Sequence, residues 1–203
     1  MPRLLGVRGA VCVAVAAVLV LSGCSPTAET SRSSSKATLE SAGPWAEEFR
    51  AALDDGVSDF EFEILADGDV TTAELEAAHE RVGRCLADSG LRIDYDPDGG
   101  FGLESIDGRY PDDFFERSDP ILRRCEQTAD EYVTQLFEET RRNPRRLDDA
   151  KITVPCLREA GLVGRGYTEE QWRKDYDADT LPFDETSDAA IQCRLDPLGL
   201  WRR

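Results

Sequence analysis

The sequence repeats a heptapeptide around two of its cysteines, CLADSGL from Cys85 and CLREAGL from Cys156. Each copy is followed by one further cysteine, Cys125 after 40 residues in the first and Cys193 after 37 in the second. Two copies of one small unit would each close their own bridge, which predicts Cys85–Cys125 and Cys156–Cys193. Pairings that cross between the copies are the alternative. A zinc site built from these four is disfavoured, because no Cys-x-x-Cys pair exists.

Periodicity fills in the rest of the body. Pro44–Ala52 reads as a short amphipathic helix with proline in its first turn. Asp59–Ala66 fits either a short helix or a strand and is taken as helix. Thr71 with Glu74 three residues later resembles a capping box and opens a helix to about Ser89, with Gly90 as its C-terminal cap; Gly161 has the same place in the second copy. Leu91–Tyr95 and Phe101–Ser105 flank a Pro-Asp-Gly-Gly turn and predict a β-hairpin. A helix opening at Ser118-Asp119-Pro120 carries an apolar face through Phe137 and is stopped by Pro144. Leu147–Ala160, Thr168–Tyr176 and Thr186–Arg194 complete the helices. The expected fold is therefore mostly α with a small β-hairpin (α+β), in two disulfide-bridged helical units, 44–143 and 144–203, that share one body.

The chain begins with Arg3 and Arg8, then an unbroken apolar run of twelve residues, Ala10–Leu21, then Leu21-Ser22-Gly23-Cys24. A membrane span needs about 20 apolar residues, so the run has the length of a signal-peptide core. The LSGC string resembles a bacterial lipobox. That resemblance implies a lipoprotein signal peptide over 1–23, attachment of lipid to the Cys24 thiol, and cleavage just before it. A cysteine carrying two or three acyl chains stays on a membrane, where one chain alone holds only marginally. An ordinary cleavage site would release the chain instead. Residues 24–43 are rich in Ser, Thr and Ala and read as a solvated tether. Lysine is scarce beside arginine, 3 against 21, a bias that accompanies GC-rich genomes; with the lipobox it suggests an actinobacterial-type envelope lipoprotein.

Charge excludes one class of partner and shapes the rest. With 41 Asp+Glu against 24 Lys+Arg, the chain lacks the basic footprint of a nucleic-acid binder. Removal of residues 1–23 takes two arginines and no acid, leaving a formal −19 that anionic head groups repel. Four arginines in Arg141–Arg146 suit either an anionic partner or a helix C-terminus. Asp94, Asp96 and Asp98, followed by Gly99, have the spacing that opens a calcium-binding loop, yet Ser105 stands where a bidentate carboxylate is required, and Glu104 comes one residue early. A hairpin turn accounts for the same residues. His79 is the single histidine, and no catalytic motif accompanies it. The expectation is a lipid-anchored, extracytoplasmic binding or interaction module, without cofactor unless calcium, whose partners are the membrane through its anchor and an envelope protein or polymer. An envelope hydrolase using dispersed carboxylates, or an accessory or inhibitory subunit of a membrane protein, is the alternative.

Overall fold

A computed structural model describes residues 37–202. The expected signal peptide, Cys24 with its expected lipid and most of the expected tether lie outside the described residues. The last part of the expected tether does not behave as a spacer. The backbone N–H groups of Thr38 and Leu39 donate to the Ala66 carbonyl and that of Ser41 to Asp67, while Ala42 is buried. An apolar residue at each of 39 and 42 is enough to draw this stretch onto the core.

After a single 3-10 turn at Gly43–Trp45, eight α-helices follow: α1 (Ala46–Asp55), α2 (Asp59–Leu65), α3 (Thr72–Ala87), α4 (Phe114–Glu126), α5 (Val133–Arg142), α6 (Asp149–Glu159), α7 (Glu169–Asp177) and α8 (Asp188–Leu195). Between α3 and α4 lie two strands, β1 (Leu91–Tyr95) and β2 (Phe101–Ser105), paired antiparallel with Leu91 opposite Ser105 and Tyr95 opposite Phe101. Segment 59–65 is helix because Ser58 caps it, accepting from the Glu61 N–H, which places Ile64 and Leu65 together in the core. The capping box at Thr71 and Glu74 is formed, both bonds present.

Both bridges join the cysteines of one unit, Cys85–Cys125 and Cys156–Cys193. The heptapeptide has the same structural meaning twice. The residue after each first cysteine, Leu86 or Leu157, is buried, and four residues further on Gly90 or Gly161 takes a left-handed φ of 76° or 72° that ends the helix.

Helix α3 is the wall between two apolar clusters. Its first half joins Phe49, Leu65, Val133 and Phe137 through Ala78; its second half joins Leu91, Phe114 and Leu122 through Val82 and Leu86. In the second unit α6 packs on α8, burying Ile152, Leu157, Ala190 and Leu195. The junction between the units is ordered. Asn143 is buried and exchanges two hydrogen bonds with the Leu147 backbone, and the Trp45 indole donates to the Asn143 carbonyl.

Helix ends shift by up to three residues elsewhere, as in α1, expected over Pro44–Ala52 and found over Ala46–Asp55, but two boundaries differ more. Helix α4 opens at Phe114, not at Ser118, because Phe114 is buried in the second cluster; Pro120 and, in α6, Pro155 sit inside their helices. The long helix expected to reach Pro144 breaks between Glu126 and Val133. Ala129 is buried at the break, and the carboxylate of Asp130 takes over the Thr134 N–H at the start of α5.

Candidate functional site

That break builds a site. Asp130 sits under α3, and its side chain is only 6% exposed. Its Oδ1 accepts from the Thr134 N–H at 2.8 Å and its Oδ2 from the Thr134 hydroxyl at 2.8 Å. With that hydroxyl donating to Asp130, its lone pair receives the Nε2–H of His79 at 2.9 Å, which assigns the imidazole its Nε2-protonated tautomer. The Asp130 carboxylate lies 3.6 Å from the same nitrogen. On its other side the imidazole is stacked on Tyr95 of β1, centroids 3.5 Å apart and planes within 4°.

Burial governs the titration of all three. It pushes the Asp130 carboxyl up to about 6, against the pull of the two Thr134 hydrogen bonds and with help from the Glu138 charge. It lowers His79 and raises Tyr95, whose phenol also faces the charges of Asp130 and Glu126. Near neutral pH the site therefore holds a neutral imidazole beside an ionised carboxylate.

These groups form one wall of a cleft of about 560 Å³ between α3, the hairpin, α5 and the C-terminal segment. Glu126, Glu131 and Glu138 add carboxylates to it. Burial, before neighbouring charge, raises Glu126 and Glu138. Among the described residues none of these three makes an ion pair with a lysine or arginine, and Arg202 is the only such cation in the lining. Phe101, 47% exposed, and Trp201 add aromatic faces. Trp201 is held there by Asp196, a buried residue whose carboxylate accepts from the backbone N–H groups of Leu200, Trp201 and Arg202.

The acidic hairpin joins this cleft through its turn. Strand alternation sends Asp94 to the outer face, where it accepts from Arg92 at 3.1 Å, while Arg92 also reaches Glu104 across the ladder. Asp96 and Asp98 remain at the tip. Among the described residues no group of three or more His, Cys, Asp or Glu side chains is placed to hold a metal ion, so the arrangement adds no support to the calcium reading of Asp94, Asp96 and Asp98. What the tip does is dock. The Asp98 carbonyl accepts from Arg194 of α8 at 2.9 Å, and Gly99, at φ 82°, lets the chain lie so close that an added Cβ would meet Leu195 at 3.1 Å.

The arginine run is also engaged internally. Arg141 donates to the Val70 carbonyl at 2.7 Å and lies 3.5 Å over the Phe137 ring, Arg142 binds Asp149, and Arg146 pairs with Glu47 and Glu48. Three of the four are links between elements. The two bridges fit a chain that matures in an oxidising, extracytoplasmic environment. No described helix is long and apolar enough to cross a membrane.

Comparison with known protein families, curated proteins and solved structures finds no match.

Proposed function

We infer that the chain is an extracytoplasmic binding module, anchored through lipid on Cys24, that presents the cleft beside His79 to a ligand carrying positive charge. The observation that carries this is the charge imbalance of the cleft: Glu126, Asp130, Glu131 and Glu138 line it against the single cation Arg202, between the faces of Tyr95, Phe101 and Trp201. Carboxylates supply attraction in a partly desolvated space, and aromatic faces hold an organic cation further. Binding is favoured over nucleophilic chemistry because the Thr134 hydroxyl donates to Asp130 and not to His79, so the imidazole does not activate it.

Titration calorimetry of the full chain with spermidine tests the site. The expected result is saturable heat that weakens with added salt and disappears in Glu126→Gln/Asp130→Asn. Heat that is absent, or unchanged in that variant, removes the assignment. The anchor is tested separately by mass spectrometry of the N-terminal peptide: diacylglyceryl on Cys24 is expected, and an unmodified thiol in a chain that keeps Met1 overturns it.

A second reading, hydrolysis of envelope material, draws on Asp130 alone, a buried carboxyl raised to about 6 beside a cleft. It requires turnover that Asp130→Asn abolishes.

A further inference from the structure

A separate pocket of about 230 Å³ lies between α5 and the second unit and shares no lining residue with the cleft. One side is aromatic. Trp172 and Tyr176, one turn apart on α7, stack with centroids 5.0 Å apart and planes at 21°. Phe183 and Leu181 continue this wall from the following loop. Helix α7 has no fully buried residue, and Tyr176 is 59% exposed. These rings are therefore held at the rim of a pocket and not packed into the core.

The facing wall is polar and already ordered. Arg142, only 14% exposed, donates from Nη1 to Asp149 at 2.7 Å, from Nη2 to the Thr153 hydroxyl at 3.3 Å and from Nε to the Arg194 carbonyl at 2.7 Å. Glu139 lies 3.9 Å from the same guanidinium. Burial raises the Glu139 carboxyl and the Arg142 charge opposes that rise.

The two walls select a ligand by exclusion. A cation meets Arg142 and Arg194, and an anion meets Glu139, Asp149 and Glu185. An apolar ligand strips water from Asp149 and Thr153 without replacing it. A neutral pyranose meets both walls: its C–H face lies against an aromatic ring, and its hydroxyls, each donor and acceptor, pair with planar carboxylate and guanidinium groups. The volume falls below the roughly 300 Å³ at which pockets for drug-sized ligands begin, so it suits one ring. We propose that the pocket between α5, α6, α7 and α8 binds a single neutral pyranose ring, stacked on Trp172 and Tyr176 and hydrogen-bonded by the Arg142–Asp149–Thr153 wall.

Saturation-transfer NMR on the full chain in detergent, with methyl β-glucopyranoside and N-acetylglucosamine as probes, tests this. Transfer to the ring protons of at least one sugar is expected at millimolar concentration. Tyr176→Ala is expected to weaken that binding roughly tenfold, with circular dichroism unchanged because the ring is exposed, and Trp172→Phe to weaken it less. Absence of transfer to both sugars, or transfer untouched by Tyr176→Ala, overturns the assignment. Neither result bears on spermidine binding in the cleft.

Discussion

Asp130 is the residue on which the cleft turns, and its titration has a consequence for stability. Its carboxyl goes from an ordinary 3.8 to about 6 on folding, so the folded chain keeps a proton there that the unfolded chain has already released. The folded state binds more protons throughout that window, and stability falls as pH rises from about 4 to about 6. The shift corresponds to about 3 kcal/mol. Asp130→Asn keeps an acceptor for the Thr134 N–H and removes the charge. It is expected to flatten the stability profile across this window and to raise the urea midpoint at pH 7. A variant as pH-sensitive as the wild type would show that Asp130 is not the group responsible. The same ionisation governs the cleft: below pH 6 a neutral Asp130 attracts a cation less, so spermidine affinity is expected to drop in acid.

At the scale of elements, most of the fold was legible because its signals are local. The capping box at Thr71, the glycine caps at Gly90 and Gly161 and the hairpin register follow from residues within a few positions of one another. The bridges were legible through the repeated heptapeptide. The site was not. It depends on the break between α4 and α5, and the apolar stripe from Ile121 to Phe137 runs through that break without interruption. The available signal was Asp130 itself, a residue that competes for backbone N–H groups and favours helix starts. Spacing alone also does not show that β1 ends at Tyr95, which leaves Asp94 on the ladder beside Arg92 while Asp96 and Asp98 lie in the turn. Two element-scale outcomes follow. Cys125→Ser opens a loop of 40 residues and is expected to lower stability by about 4 kcal/mol in equilibrium unfolding. Gly99→Val brings a side chain against Leu195 at a left-handed φ; about 1–3 kcal/mol is expected to be lost, with hydrogen exchange rising at the hairpin tip and at α8 together.

For the whole molecule, charge is the strongest influence beyond packing. A chain of formal −17 repels itself, and many arginines are already engaged in links such as Arg142–Asp149 and Arg146–Glu48. Moderate sodium chloride is therefore expected to raise the melting temperature by screening that repulsion. A melting temperature that falls with salt would mean that the ion pairs outweigh it.

The placement of the staples also sets how the protein yields to mechanical load. Both cross-links lie at or beyond Cys85, so tension entering at the N-terminal end meets no covalent lock across residues 37–84. The Thr38–Ala66 and Ser41–Asp67 bonds come first in that path. The 48 residues of this section release at most roughly 170 Å of chain. His79 travels with them, while Asp130 stays beside the locked cysteine pair. On the proposed reading, drag on an N-terminal anchor would pull apart the two halves of the cleft before it threatened the covalently closed remainder, and a ligand held there would be let go under strain.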